Sequence, residues 1–311
     1  MKIFDVIIIG GGPAGLNAAI VLGRCRRTVL IFDSGTPRNK QSRGIHNYIT
    51  RDGILPADFL ELAQKEIKKY KVKFIKAEIS KAEKNKRVFL VTDKSGNRYA
   101  STKLLIATGV KDKLPAIPGI EEFYGRSVFH CPYCDAWEIK DRSIAVYAKN
   151  KNGFPLAVSL KTWSEHVTLY TDGRNYLKAV EKEILERKKI RVIAARIRSI
   201  EGKNGQVRNI VLTGGEKKTC DALFFVNGFD QQSHLAEQLG CRLNKNGVIE
   251  TNRLEQTVVP GLYVAGDSSK DMHFVVVAAA EGAKAAVNIN KELQKEEMIK
   301  SRHNRTVPRG E

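Results

Sequence analysis

The opening segment, KIFDVIIIGGGPAGLNAAIVLGRCRRTVLIFDSG from Lys2, constrains the fold more than any other part of the chain. A β-branched run, Val6 to Ile9, enters a glycine-rich turn. A small-residue stretch then ends near Gly23, and a second apolar run, Thr28 to Phe32, closes on Asp33. Short apolar runs bounded by turn signals read as buried strands, and the small-residue stretch between them as a helix. Strand, helix and strand in that order make a βαβ unit, which requires a parallel sheet covered on both faces. The same stretch is free of charge from Val6 to Gly23 and superficially imitates a signal peptide or a short membrane span. Asp5 at its edge and the glycines and Asn17 inside it argue against both, and with no other candidate span the chain is expected to be soluble and cytoplasmic.

Gly10-x-Gly12-x-x-Gly15 falls where the first strand ends and the helix begins, the context that makes this fingerprint informative. The first glycine permits the tight turn, the second lets backbone N–H groups approach a pyrophosphate, and the third lets helix pack on strand. The helix N-terminus, entered through Pro13 and Ala14, adds its partial positive charge. Asp33 is placed to accept hydrogen bonds from an adenosine ribose. Gly261-Leu-Tyr-Val-Ala-Gly266-Asp267 is a second buried strand that delivers a carboxylate beside a small-residue helix starting near Val275 and Val276. Alone it would also suit a core strand ending in an N-capping aspartate. Paired with the fingerprint, it points to FAD: the carboxylate can bond a ribityl chain, and the helix N-terminus can stabilise charge on a reduced isoalloxazine.

Further along, Ala57 to Tyr70 has helical spacing, and strands are expected around Val72 to Ile75, Arg87 to Thr92 and Lys103 to Ala107. The segment from Gly109 to Gly119, with Pro115 and Pro118, marks one domain boundary, and the turn-rich Asn244 to Gly247 marks another. A long helix should run from Val275 to about Glu297. The polar tail from Ser301 to Glu311 should be disordered. Between the boundaries lies an internal repeat. A shift of 138 lays Ile144 to Tyr147 on Val6 to Ile9, Pro155 to Leu160 on the first helix, Val167 to Tyr170 on Val29 to Phe32, and Gly173 on Gly35, without a gap. The expected architecture is therefore α/β, with two Rossmann-like, three-layer ββα dinucleotide-binding domains, the second inserted in the first. Residues 1–112 and 244–311 form a discontinuous FAD domain, and residues 113–243 a pyridine-nucleotide-type domain.

Five cysteines, of which only Cys131 and Cys134 are close in sequence, do not make a disulfide framework. Cys131-Pro-Tyr-Cys134 has the spacing of a small redox-active disulfide ring, and a helix starting there would lower a thiolate pKa so that one sulfur attacks a disulfide at neutral pH. Asp135 directly after the pair is positioned for general acid–base work. Structural zinc needs four ligands, and no second pair or clustered Cys/His partner accompanies this one, so no metal is expected. Inert buried thiols are the remaining alternative. Tyr133 and Trp137 read as packing residues, and His130 as a hydrogen-bonded core histidine.

On GGGPAG (10 to 15), Ala107-Thr108-Gly109, CPYCDAWE (131 to 138) and GLYVAGD (261 to 267), the chain resembles the low-molecular-weight thioredoxin reductases of the pyridine nucleotide-disulfide oxidoreductase class. Gly35-Thr-Pro-Arg38-Asn39, His46-Asn47 through Gly53, and Trp163 through Gly173 are similar to the thioredoxin reductase-like branch that includes gliotoxin- and holomycin-type dithiol oxidases. The resemblance implies a homodimer, with Cys134 facing the flavin, Cys131 attacking the substrate, and Asn47 close to the flavin. It also implies thioredoxin or a small disulfide or dithiol as substrate. Ala136 departs from the usual glycine after CD, and Phe274-Val275-Val276 stands where reductases show Arg-Gln-Ala.

The repeat also tests NADPH use. The three fingerprint glycines map to Ala148, Asn150 and Gly153, so only the helix-packing glycine remains, and a Cβ at the other two obstructs the turn and the phosphate approach. Thr171 takes the place of the ribose-binding acid, and the basic motif for a 2′-phosphate is missing apart from Arg174 and Lys149 or Lys151. NADPH is expected to bind weakly or not at all. That leaves a disulfide reductase fed by another donor such as reduced ferredoxin or by weakly bound NADPH, a dithiol oxidase that passes electrons to oxygen, or, from a different class, a basic FAD-binding protein without turnover. The formal charge of +19 spreads over lysine-rich helical stretches without interleaved aromatics, which argues against nucleic acid. It suits a solvated surface, or the docking of an acidic electron-transfer protein.

Overall fold

The structure is a computed structural model and describes residues 1–305. These divide into two compact units. One comprises Met1–Arg38, Ala57–Lys111 and the chain from Asp230 on; the other comprises Asn39–Pro56 and Asp112–Phe229.

In the larger unit the chain forms β1 (Ile3–Ile9), α1 (Pro13–Arg24), β2 (Val29–Asp33), α2 (Pro56–Lys68), β3 (Lys73–Lys76), β4 (Ile79–Asn85), β5 (Val88–Asp93) and β6 (Arg98–Ile106). They build one sheet in the order β3-β2-β1-β6-β5-β4. The pairs β3–β2, β2–β1 and β1–β6 are parallel, whereas β6, β5 and β4 form an antiparallel meander. The start of β6 pairs with β5 and its end, Leu104 to Ile106, with the strand Leu262–Val264. Val6, Ile7 and Ile8 have no exposed surface, which explains why β1 reads as an unbroken apolar run. Each such side chain contributes about 1.5–3 kcal/mol by leaving water. One face of the sheet is covered by α1 and the last helix, Val275–Arg305, through Leu16, Leu22, Ala285 and Ile289. A side chain at Gly282 would collide with the Ala14 carbonyl, so this glycine sets how closely the two helices cross.

The smaller unit repeats the plan. A parallel five-stranded sheet is ordered Arg191–Ile193, Val167–Tyr170, Ile144–Tyr147, Ala222–Phe225, Val128–Phe129. A three-stranded antiparallel sheet, Ile197–Lys203, Gln206–Leu212 and Lys217–Thr219, packs on one face through Ile200, Ile210, Leu223 and Phe225. On the other face Leu156, Leu160 and Leu185, from the helices Gly153–Leu160 and Ala179–Arg187, complete three layers. The repeat holds at the level of register: Val6 pairs with Val29 and Ile9 with Phe32, and Ile144 pairs with Val167 and Tyr147 with Tyr170.

Several features differ from the sequence reading. The strand Ile79–Asn85 went unread because its lysines and glutamate break the alternation and a register shift between Ile79 and Lys81 resets it. The chain re-enters the larger unit at Asp230, ahead of residue 244, because Leu235, Ala236 and Cys241 pack into that unit's core. Residues 39–56, expected with the FAD domain, group with the smaller unit. The last helix passes Glu297 and Ser301 to reach Arg305, so the expected disorder does not begin at Ser301; the rest of that tail, 306–311, lies outside the described residues. The basic stretches expected on helices lie in part on strands, Lys73–Lys76 and Ile79–Asn85 in the larger unit and Arg191–Ile193 and Ile197–Lys203 in the smaller, and Lys103 is buried and paired with Glu292 and Glu296.

Candidate functional site

In the larger unit the glycine turn has the shape a dinucleotide needs. A Cβ at Gly10 would strike the Ala107 carbonyl, and one at Gly15 the Gly10 carbonyl, whereas at Gly12 it would meet nothing within 4 Å. The two outer glycines therefore permit close packing, and the middle one faces open space. Helix α1 begins at Pro13 with no side chain capping its N-terminus, so its first N–H groups are left to bind an anion. Asp33 accepts hydrogen bonds from the Gly11 N–H (2.6 Å) and the Gly35 N–H (2.6 Å), which fixes its carboxylate at the rim of the turn with acceptor capacity left over.

Gly266 (φ +80°) follows the strand Leu262–Val264, and its N–H donates to the Glu281 carboxylate at 2.9 Å. Burial raises Glu281 to about 7. Asp267 pairs with Arg38 at 2.8 Å. The hydroxyls of Thr108 and Ser268 lie 3.5 Å apart, beside Gly109. Val275 and Val276 open the last helix and Val276 is exposed. Gly10 to Gly15, Asp33, Ala107 to Gly109, Gly266, Asp267 and the two valines thus all lie in one unit, and the Gly12 opening, the uncapped helix and the Asp33 rim fit a dinucleotide such as FAD. Asn47 does not join them. Its φ is +63°, and from the smaller unit its Nδ2 donates to the Tyr133 carbonyl at 2.8 Å.

Cys131 and Cys134 form a disulfide, half-buried on one turn of helix, Pro132–Asp135, with Cys131 as N-cap. The helix expected to acidify a thiolate is therefore only that turn, followed by a 3₁₀ turn, Trp137–Ile139, and local N–H groups replace a full macrodipole. Asp135 rises to about 7 through burial and the neighbouring Glu138 carboxylate. Glu138 lies 3.5 Å from His46 Nε2, and His46 Nδ1 lies 3.8 Å from Asp52. His46 and Glu138 were not singled out as a pair from sequence, because they are brought together only by the fold. Tyr133 and Trp137 are not packing residues: each is 65% exposed, Tyr133 edge-on to Trp163 and Trp137 under Lys140. His130 is half-buried, with its Nδ1 3.3 Å from the Tyr124 hydroxyl.

The second glycine-type loop is occupied by its own chain. Lys149 Nζ and the Tyr147 hydroxyl both reach Asp172 Oδ2 at 3.0 Å, and the Ile197 N–H donates to Oδ1 at 3.1 Å. The bond to Asp172 holds the Lys149 ammonium above its ordinary pKa. Against the effect of burial, bonds from Lys149, Ile197 and Tyr147 hold the Asp172 carboxyl below its own. The Ala148 side chain stands 2.7 Å from where a Gly153 Cβ would be, and Thr171 is buried. The helix begins at Gly153, whereas the repeat of Pro13 would start it at Lys151. Asp172 was missed because the repeat pointed to Thr171, one residue earlier.

The chain therefore carries a dinucleotide cradle in one unit and a CxxC disulfide in the other, and it belongs to the pyridine nucleotide-disulphide oxidoreductase family, whose model matches residues 4–282. Within that family it is a thioredoxin reductase-like FAD oxidoreductase. It is 30% identical to thioredoxin reductase tcpT of Claviceps purpurea, over 90% of this chain and 91% of that one. It is 29% identical to thioredoxin reductase of Bacillus subtilis, over 93% and 94%. Among solved structures it is similar to HlmI, with a TM-score of 0.94, 31% identity and 98% of each chain covered. No helix among the described residues is long and apolar enough to cross a membrane, and no group of three or more potential ligands there forms a metal site.

Proposed function

We propose that this protein moves electron pairs between FAD and a substrate disulfide or dithiol through Cys131 and Cys134, with NADPH excluded as an efficient donor. The observation that carries the last clause is the Lys149–Asp172–Tyr147 cluster, which ties one of the loop's lysines to a carboxylate of the chain. FAD, which Gly10, Gly12, Pro13, Ala14, Gly15, Asp33, Ala107, Thr108, Gly109, Gly266, Asp267, Val275 and Val276 would hold, would supply the two-electron carrier.

In the reducing direction the Cys131 thiolate attacks a substrate disulfide, one substrate thiolate leaves, and a mixed disulfide remains. Asp135 gives a proton to the leaving sulfur. Cys134 then attacks Cys131 Sγ, releases the second substrate thiolate and closes the Cys131–Cys134 disulfide. The substrate is thioredoxin or a small disulfide, and the donor is an acidic electron-transfer protein such as ferredoxin, steered by the net charge of +19. A second reading, an oxygen-dependent oxidase of small dithiols, rests on the branch motifs at 35–39, 46–53 and 163–173 and runs the same exchange backwards. The resemblance further supports a cytoplasmic homodimer. Rapid peroxide formation with a dithiol selects the oxidase; anaerobic fading of the flavin band with reduced ferredoxin and no peroxide selects the reductase.

Asp135 predicts a pH signature. With its carboxyl titrating near 7, turnover should change across that pH, and Asp135→Asn should lower the rate by about a hundredfold and remove that limb of the profile. Glu138→Gln, which removes the neighbouring negative charge, should move the limb to lower pH. An unchanged profile in both variants would exclude Asp135 as the acid.

A further inference from the structure

A cavity of about 700 Å3 lies in the smaller unit, within the size range of small-molecule sites. Arg43, Arg126, Arg142 and Arg208 reach its lining from four separate stretches of chain. Arg142 stands 4.0 Å from the Asp221 carboxylate. Among the described residues, Arg43, Arg126 and Arg208 have no carboxylate within ion-pair distance. Neither the cysteine pair nor the eroded nucleotide loop contributes to the lining.

The backbone fixes where these cations stand. The fully buried Ser127 hydroxyl donates to the Gly205 carbonyl and accepts the Val207 N–H, each at 2.9 Å, tying the Arg126 turn to the strand that carries Arg208. Gly205 (φ +74°) has Arg126 laid over it, in space a side chain would need. The Cys220 N–H donates to the Arg208 carbonyl at 3.0 Å. At Gly125 (φ +75°) a Cβ would meet Gln41 at 2.9 Å, so the segment leading to Arg43 is drawn against the Arg126 turn.

Arg43, Arg126 and Arg208, exposed around one concavity and none of them in an ion pair among the described residues, each present paired N–H donors that match a carboxylate or phosphate. We propose that this cavity is a binding site for a small polyanion, a molecule with at least two phosphate or carboxylate groups seated on Arg43, Arg126 and Arg208. Asp135 and Glu138 on another part of the lining would repel acid groups, so a hydroxyl or amino end of the same ligand faces them. A concavity of this volume selects a small molecule over a flat protein surface.

The test is calorimetric titration of the FAD-loaded protein with inorganic pyrophosphate and, separately, citrate at constant ionic strength. One site per chain is expected, and R43Q/R126Q/R208Q should weaken it at least about tenfold. K68Q/K69Q/K73Q removes the same charge from elsewhere on the surface and should stay within about twofold. Retained FAD and an unchanged unfolding temperature show that both variants are folded. The tighter of the two probes identifies the acid group. Failure of both to bind below about 10 mM, or equal losses in the two triple variants, overturns the proposal. No turnover is read, so either result leaves the proposed redox function to its own tests.

Discussion

Cys134→Ser is expected to lower turnover with any disulfide or dithiol by at least about a thousandfold while the protein stays folded and yellow with bound FAD. Without Cys134 the pair cannot form its internal disulfide, yet Cys131 remains able to attack. A disulfide substrate should therefore be trapped on Cys131 as a mixed disulfide, one substrate thiol being released per chain, which intact-mass measurement detects. Cys131→Ser should be equally inactive and should trap nothing. The other cysteines are poor substitutes. Burial, with Asp221 alongside, pushes the Cys220 thiol up to about 12, and burial also raises Cys241. Cys25 is exposed, but it ends helix α1 in the other unit from the pair, and Cys25→Ser should leave the rate within about twofold. Full activity in Cys134→Ser would remove the mechanism.

The larger features of this molecule were legible because they repeat simple periods. Val6 to Ile9 and Ile144 to Tyr147 are buried on both faces of parallel sheets, so each reads as a continuous apolar run, and the constant spacing to Val29 and Val167 reflects an identical register. The cradle was legible because a glycine at 10 or 15 answers a backbone collision and not a side-chain preference. The strand Ile79–Asn85 was hidden by its lysines, which lie on an edge where only Ile79 and Ala82 are buried. Pairings that depend on distant chain segments left no local signal: Lys149 with Asp172, His46 with Glu138, and Glu281 with the Gly266 N–H. Tyr133 and Trp137 were misread because aromatic residues beside a motif usually pack, and here they stand in solvent.

The second large effect concerns NADPH. In the first unit the turn keeps Gly12 open and leads straight into a helix at Pro13. In the second, Ala148 and Asn150 replace two glycines, the helix begins at Gly153, and Lys149, one of the two lysines of the turn, is bound to Asp172. Taking Lys149 for a nucleotide would first break its ion pair with Asp172, whose carboxylate would keep only the Tyr147 hydroxyl and the Ile197 N–H. The most direct measurement is an anaerobic titration of the FAD-loaded protein, followed at the visible flavin band. The account predicts that about a tenfold excess of NADPH leaves the band intact for minutes, whereas dithiothreitol removes it in the wild type and not in Cys134→Ser. Complete loss of the band with stoichiometric NADPH, or its loss with dithiothreitol in Cys134→Ser, would contradict it.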